Sequence, residues 1–188
     1  MTAPTAFAVL LRGVNLGPHR RVSSADLRAA GTDAGFADAA TYANSGNLVV
    51  TVPGDGPPPG DDDVAARVVS ALQARTGAEI PAVAVSGERL AAVAAANPFS
   101  AAARDDPAHL LVYVGPQPVD PDEVARLDLA SPGRELLAVA EGVLFVHYVD
   151  GIGRSRLSSA QIDRAAGTWT TGRNWNTVQR LLAMTTAG

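Results

Sequence analysis

Cysteine and lysine are both absent from this chain of 188 residues, and aromatic residues make up only 5% of it. Without cysteine, the protein has no disulfide, no thiolate metal ligand and no thiol nucleophile. Without lysine, it has no side-chain amine for Schiff-base or amine-nucleophile chemistry. Because aromatic residues are scarce and form no pair on the predicted strands, binding of RNA by base stacking on a sheet is disfavoured.

Long apolar runs and metal-site spacings are missing as well. No run reaches the roughly 20 residues that cross a bilayer. The N-terminal run AFAVLL (6–11) is followed by Arg12 and not by a signal-peptide cleavage site. The histidines, His19, His109 and His147, do not have the spacing of metal ligands. We therefore expect a cytoplasmic protein with no membrane partner, no metal and no other cofactor.

The charges are distributed unevenly along a chain whose formal net charge is −4. Residues 1–28 contain four arginines and one aspartate, and residues 151–188 contain five arginines and one aspartate. The middle, residues 29–150, contains 17 acidic residues and six arginines. If the two ends meet in the fold, they form a locally positive surface on an acidic protein. Such a surface suits a small anionic ligand better than a long nucleic acid.

The first half of the chain predicts the element order βαββαβ. A buried strand covers 6–12, and a helix that begins at Ser23, with Asp26 completing its capping pattern, covers about 23–35. Two strands then form a hairpin around NSGN (44–47), and a helix and a further strand follow, ending at about residue 85. This order is the split βαβ, or ferredoxin-like, pattern.

The second half begins in the same way, with a strand at 109–115, a helix at 120–129 and a hairpin at 134–149. Two helices follow, at 158–167 and 174–184, and Thr170 or Thr171 is expected to cap the last one. We therefore predict an α+β fold of two consecutive ferredoxin-like (split βαβ) subdomains with antiparallel-rich sheets, joined at a hinge over residues 97–108. The expected subdomains, packed as one compact unit, are residues 1–97 and residues 98–188, the second with an extra C-terminal helix.

Four polar stretches contrast with the apolar background: LRGVNLG (11–17), YANSGN (42–47), DGIGRSR (150–156) and TTGRNWNTV (170–178). All fall at strand ends, turns or helix starts, where backbone N–H groups are free to bind ligands. We predict that they form a cleft between the subdomains for a small anionic ligand, such as a phosphorylated metabolite or a nucleotide. The candidate ligand-binding residues are Arg12, Asn15, Asn44, Ser45, Asn47, Arg154, Ser155, Arg173, Asn174 and Asn176.

Each stretch also has a structural interpretation. NSGN suits a hairpin turn, because asparagine and glycine accept positive φ. GIGRSR is similar to a dinucleotide-binding glycine motif, but Arg156 replaces its last glycine, which favours a plain glycine turn. An arginine in the first turn of a helix, the position expected for Arg173, is unfavourable by up to about 1 kcal/mol. Either a bound anion or an acidic residue from the middle of the chain would compensate it.

Other functions remain open from the sequence. An enzyme could use Ser45 or Ser155 as its nucleophile, but no adjacent base is evident. Single-stranded nucleic-acid binding is disfavoured by the aromatic content. A purely structural or protein-interaction role, in which the polar stretches hold the two halves together, is the remaining alternative. The catalytic residues, the oligomeric state and the biological process are not indicated.

The same motifs make the chain resemble a bacterial family of unknown function, domain-of-unknown-function family 1697. The matching segments are LRGVNLG (11–17), TYANSGNLVV (41–50), NPF (97–99), GIGRSRL (151–157) and TTGRNWNTV (170–178). They span nearly the whole chain in the family's order, and the last is specific. The resemblance implies two ferredoxin-like subdomains and no known activity, cofactor or catalytic residue. Arg156 lies where lysine is common, which keeps the charge but changes its geometry.

Overall fold

The computed structural model describes residues 3–14, 22–44, 46–54, 56–126 and 134–186. The chain forms two compact units, Met1–Leu90 together with Leu181–Gly188, and Ala91–Arg180. Each unit contains one four-stranded sheet. Among the described residues, none of the helices combines the length and the hydropathy that a membrane span requires.

The first unit has the element order βαββαβ. Its elements are β1 (Thr5–Leu11), α1 (Ser24–Asp33), β2 (Ala37–Thr41), β3 (Asn47–Val52), α2 (Asp61–Thr76) and β4 (Ala82–Ser86). The strand order in the sheet is β2-β3-β1-β4, and every pairing is antiparallel. The helix α3 (Gly87–Ala95) follows β4 directly. This topology is that of a ferredoxin-like subdomain.

The central strand β1 is buried on both faces. Phe7, Val9 and Leu11 belong to a core cluster that also contains Val64 and other residues of α2. The alternate residues Ala8 and Leu10 point to the opposite face and are also at most 3% exposed. A strand that is covered on both sides gains from apolar residues at every position. This explains the continuous run AFAVLL, where an alternating pattern would have left one face in water.

Helix ends follow the sequence signals closely. The hydroxyl of Ser23 accepts a hydrogen bond from the Asp26 backbone N–H (3.0 Å) and donates one to the Asp26 carboxylate (2.6 Å), which begins α1. Three aspartates occupy the first turn of α2, where they complement the helix dipole. The same helix ends at Gly77, whose φ of +69° is the left-handed conformation that glycine adopts without strain.

The second unit repeats this architecture. After α4 (Ser100–Asp105) it contains β5 (Leu110–Val114), α5 (Pro121–Ala125), β6 (Glu135–Ala140), β7 (Val143–Tyr148), a 3-10 turn (Ile152–Arg154), α6 (Ser159–Ala166) and β8 (Thr171–Asn174). The last helix, α7 (Trp175–Thr186), begins in the second unit, and its residues from Leu181 onward belong to the first. The strand order, β6-β7-β5-β8, is the same permutation as in the first sheet. The predicted α+β fold of two consecutive ferredoxin-like subdomains is therefore confirmed.

The strand β8 corrects the prediction that Arg173 lies in the first turn of the last helix. β8 pairs antiparallel with β5, with Arg173 opposite Val112 and Thr171 opposite Val114. β8 completes a second βαββαβ order. The sequence predicted the first five of these elements and then a helix in the place of the last strand. The segment TGRN has no apolar alternation, because the side chains on its buried face are a threonine and an arginine. Hydrophobic periodicity therefore could not reveal this strand.

Two further expectations, the cap of the last helix and the hinge, also have to be revised. Asn174 caps α7, because its Oδ1 accepts a hydrogen bond from the Thr177 backbone N–H (3.0 Å), so neither Thr170 nor Thr171 is the cap. The backbone N–H and the hydroxyl of Thr170 instead donate to the Asp163 carboxylate (2.8 and 3.0 Å). The expected hinge at 97–108 contains the short helix α4.

Candidate functional site

Two of the four polar stretches meet in the first unit. The backbone N–H of Leu11, at the end of β1, donates to the Gly46 carbonyl of the NSGN turn (2.9 Å). The next residue, Arg12, is half-buried, and its backbone N–H donates to the Pro81 carbonyl (2.8 Å). The candidate residues Asn15 and Ser45 lie outside the described residues. That this region shares a cleft with Arg173 of the second unit stays a prediction.

The two described asparagines of the NSGN turn differ in their surroundings. Asn47 is fully buried, and its side-chain N–H donates to the Tyr42 carbonyl across the hairpin (3.0 Å). Its own carbonyl accepts from the Tyr42 backbone N–H (3.2 Å), so Asn47 closes the turn through both backbone and side chain. Asn44 is exposed, and its Oδ1 accepts a hydrogen bond from the hydroxyl of Ser24 at the start of α1 (3.1 Å).

In the second unit, Arg173 lies on β8 and is only 8% exposed. Its guanidinium donates to the Thr171 hydroxyl (2.8 Å) and to the Gly172 carbonyl (2.9 Å). Burial lowers the pKa of Arg173 to about 10, so the side chain is still a cation at neutral pH. Because Arg173 is not in the first turn of a helix, the helix dipole gives no reason to place an anion beside it. Asn176, on α7, is exposed.

Arg154 and Ser155 lie at the opposite edge of the same sheet from Arg173. The Ser155 hydroxyl donates a short hydrogen bond to the carboxylate of Glu135 on the edge strand β6. Arg173 lies on β8, the other edge strand. Three strand spacings separate these edges, which amounts to about 14 Å. The second unit therefore does not bring these two groups of candidate residues together.

Arg154 and Ser155 do line a cavity, which we call the polar pocket. It has a volume of about 200 Å³. Four charged side chains line it, together with Tyr148, Val149, Gly151 and Ser155; the four are Arg134, Glu135, Asp150 and Arg154. Arg134 lies 3.4 Å from Asp150, and both side chains are largely exposed. The pocket thus presents two cationic and two anionic groups within a small volume.

A second cavity, which we call the apolar cavity, adjoins the polar pocket. It has a volume of about 720 Å³, and both cavities are lined by Arg134, Glu135 and Val149. The rest of its lining comes from the start of α4 with the preceding residues, and from β6 and β7: Pro98, Phe99, Ser100, Ala101, Ala102, Leu136 and His147. A volume of this size is typical of pockets for small-molecule ligands.

His147 belongs to a hydrogen-bonded cluster at the wall of the apolar cavity. Its Nε2 lies 3.2 Å from one carboxylate oxygen of Asp106, and the Nδ1 of His109 lies 2.7 Å from the other. Burial disfavours the ionised form of Asp106, but the hydrogen bonds from His147 and His109 outweigh burial and lower the pKa of Asp106. Because an ionised carboxylate can only accept, both of these histidine nitrogens carry hydrogens.

This cluster predicts how stability depends on pH. The pKa of Asp106 in the folded protein lies below its ordinary value of 3.8. Its contribution to stability is therefore complete above that value and is lost as the pH falls through the lower folded value. We expect Asp106→Asn to destabilise the protein at pH 6, and this loss to shrink between pH 4 and pH 2.5, in urea unfolding followed by circular dichroism. A loss that stays constant over this range would contradict the assignment.

Tyr148 forms a further wall of the polar pocket. Its hydroxyl lies 2.7 Å from the hydroxyl of Tyr113. Burial raises the pKa of Tyr148, the hydrogen bond with Tyr113 opposes this shift, and the negative charge of Glu135 adds to it. Burial also raises the pKa of Tyr113. Both hydroxyls are therefore uncharged at neutral pH, and neither adds negative charge to the pocket.

The sequence indicated only part of this site. It identified Arg154 and Ser155 from a run of polar residues, and it marked Phe99 only as part of the motif NPF. It gave no role to Arg134 or Glu135, and it noted His147 only as lacking the spacing of a metal ligand. These residues belong to separate elements, and their proximity depends on strand pairing. In the described part of the chain, no group of three or more acidic or histidine side chains is placed to hold a metal ion.

A solved structure of a bacterial protein has an architecture similar to that of this chain. A structure of a conserved bacterial protein, SP0830 from Streptococcus pneumoniae, resembles this chain with a TM-score of 0.68 and 23% sequence identity. The alignment covers 97% of this chain and 99% of that chain. None of the curated proteins matches the chain. At this level of identity, the likeness shows the shared architecture alone.

Membership of a family follows from a second comparison. A family model described as "Protein of unknown function (DUF1697)" matches residues 5–145, which is most of the chain. The matched region includes the motifs LRGVNLG, TYANSGNLVV and NPF, whereas the last two motifs follow it. The resemblance inferred from the sequence motifs is thus confirmed, and the chain belongs to the DUF1697 family of proteins of unknown function.

Proposed function

We propose that this protein binds a small phosphate-bearing ligand, and that the anionic group of the ligand lies in the polar pocket of the second unit. The observation that supports this proposal is that two guanidinium groups, those of Arg134 and Arg154, line one pocket of about 200 Å³. Guanidinium groups bind phosphate oxygens through paired, charge-assisted hydrogen bonds. The pocket opens beside a cavity that is large enough for the rest of a metabolite.

Both guanidinium groups are available to a ligand. In the described part of the chain, the Arg154 side chain forms no hydrogen bond or ion pair with another residue. Arg134 pairs with Asp150 at 3.4 Å, but the two side chains are 72% and 45% exposed. An exposed pair at this distance contributes little to stability. A phosphate can therefore replace Asp150 as the partner of Arg134 at a small energetic cost.

The acidic residues of the pocket restrict the ligand further. Glu135 and Asp150 balance the two arginines, so the pocket has no excess positive charge to attract a bare anion. A ligand that carries hydroxyl groups beside its phosphate satisfies both signs, because carboxylates accept hydrogen bonds from hydroxyls and guanidinium groups donate to phosphate oxygens. Sugar phosphates and nucleotides have this combination, and we favour them over inorganic phosphate.

Thermal unfolding in the presence of ribose 5-phosphate, glucose 6-phosphate and AMP tests the proposal. A ligand at 100 times its dissociation constant stabilises the folded state by about 2.7 kcal/mol. In a protein of this size, each kcal/mol raises the melting temperature by about 2–4 °C. We expect at least one of these phosphate esters to raise it by several degrees, and inorganic phosphate to have a smaller effect.

A matched pair of variants assigns the binding to the polar pocket. Arg154→Gln removes one guanidinium from the pocket, and Arg156→Gln removes another exposed guanidinium, which lines neither cavity. Both change the net charge by the same amount. We expect Arg154→Gln to weaken binding at least tenfold, as the loss of a charge-assisted hydrogen bond of about 1.5–3 kcal/mol implies. Equal effects of the two variants, or no stabilisation of the wild type by any ester, would contradict the proposal.

A further inference from the structure

The apolar cavity lies where the organic part of a phosphate ester would extend. Arg134, Glu135 and Val149 line both cavities, so the cavities meet at the start of β6. The strand register places Leu136 and His147 on the sheet face opposite Glu135 and Tyr148, so a ligand with its phosphate against Arg154 would pass around the start of this edge strand to enter the apolar cavity. Beyond these shared residues, most of the wall is carbon, including Phe99, Ala101 and Leu136. A sugar phosphate alone would leave this apolar surface uncovered, whereas a larger apolar group would bury it.

Leu136 gives the strongest indication of an apolar ligand group. It lies on the edge strand β6 and is 49% exposed, although it lines the cavity. In the described part of the chain, Leu136 and Ile152 are the large hydrophobic residues that are exposed. Ile152 is 46% exposed but lines neither cavity. A single exposed leucine is common, but one on the wall of a concave cavity offers apolar area that a ligand can cover.

Two polar groups in the cavity distinguish a heteroaromatic ring from an aliphatic chain. The Nε2 of His147 donates to Asp106, which leaves the Nδ1 as the second polar atom of the ring. Among the described residues, neither this Nδ1 nor the hydroxyl of Ser100 has a hydrogen-bond partner. An aliphatic chain would leave both groups facing carbon, which is unfavourable. A nucleobase offers ring nitrogens and amino groups at its edge and apolar faces for Phe99 and Leu136.

We infer that the apolar cavity is a subsite for a flat heteroaromatic ring, and that the ligand is therefore a nucleoside phosphate. The inference rests on the proposed function, because the polar pocket must hold the phosphate for the ring to reach His147. The two cavities then divide the ligand between them. The arginines bind its charged end, and Phe99, Leu136 and His147 bind its base.

Calorimetric titration with three phosphate esters tests the inference on the intact protein. AMP carries a base, ribose 5-phosphate has the same sugar and phosphate without the base, and octyl phosphate carries an aliphatic chain. We expect AMP to bind at least tenfold more tightly than either of the others. A tenfold ratio is what burial of one additional apolar group of moderate size provides.

Leu136→Ser and Ile152→Ser form the matched pair. Both replace an exposed apolar side chain of the second unit by serine, and only Leu136 lines the cavity. We expect Leu136→Ser to weaken AMP about tenfold and to leave ribose 5-phosphate unchanged, since the lost contact is with the base. Ile152→Ser should bind both ligands as the wild type does. Melting temperatures without ligand show whether each variant is folded.

The outcomes separate the inference from the proposal on which it rests. If AMP and ribose 5-phosphate bind equally, the ring subsite is wrong and phosphate binding at Arg154 still holds. If octyl phosphate binds more tightly than AMP, the subsite accepts an aliphatic chain and the inference is overturned. If none of the three esters binds, the proposed function itself fails.

Discussion

Gly46→Ala is expected to lower the free energy of unfolding by about 2–4 kcal/mol. A left-handed backbone disfavours alanine by about 1 kcal/mol, and Gly46 has a φ of +73°. A Cβ atom at this position would also lie 2.4 Å from the Val14 Cγ2 and 2.9 Å from the Leu11 Cβ. Forcing extra carbon into a packed site costs about 1–3 kcal/mol more. Urea unfolding followed by circular dichroism measures the sum.

Gly77→Ala supplies the control for Gly46→Ala. Gly77 has a φ of +69°, but an added Cβ there meets nothing within 4 Å. This variant should therefore show only the conformational cost, about 1 kcal/mol. The difference between the two variants measures how closely the NSGN turn approaches the end of β1. Equal losses would mean that this approach is not as close as the structure shows.

Arg173→Ala is expected to lower the free energy of unfolding by more than about 2 kcal/mol. The substitution removes the hydrogen bonds that the guanidinium donates to the Thr171 hydroxyl and to the Gly172 carbonyl, and a hydrogen bond from a charged group contributes about 1.5–3 kcal/mol. It also opens a cavity where a long side chain was buried. The measurement is urea unfolding without any ligand, so that ligand binding does not contribute to the free energy of unfolding.

Arg180→Ala is the control for Arg173→Ala. Arg180 is an exposed arginine on α7, and substitutions at such positions change stability by less than about 0.5 kcal/mol. Arg173→Lys should recover only part of the loss, because an ammonium cannot reproduce the planar geometry of the guanidinium. If Arg173→Ala is as stable as Arg180→Ala, the structural role of Arg173 is wrong.

Much of the fold could be predicted because its signals are local. The cap at Ser23 and the three aspartates that open α2 each depend on neighbouring residues. The apolar run AFAVLL indicated β1 for the same reason. Propensity, capping and turn geometry act over a few residues, so a single sequence is enough to recognise them.

The strand β8 was missed because its burial depends on tertiary structure. Thr171 and Arg173 are buried through pairing with Val114 and Val112, which are about 60 residues earlier in the chain. A segment of four residues without apolar alternation has no periodic signal. Most of the residues of the candidate site could not be grouped from the sequence for a similar reason. Arg134 and Phe99 line one cavity with His147 only because β6, β7 and α4 come together.

The polar composition of TTGRNWNTV also has a structural explanation. Asn174 caps α7, Thr170 binds Asp163, and Arg173 bonds within β8. Trp175 and Val178 are buried on α7. A cluster of polar residues in an apolar chain can therefore indicate a local network that joins a strand to a helix. Arg154, in contrast, has no such partner in the described part of the chain, and it is the residue on which our proposed function depends.

A crystal structure of the protein grown with AMP would locate the ligand directly. We expect the phosphate within hydrogen-bond distance of the guanidinium groups of Arg134 and Arg154, and the adenine ring against Leu136 and His147. A phosphate bound elsewhere, for example beside Arg12 and Asn44 of the first unit, would contradict the assignment of the polar pocket.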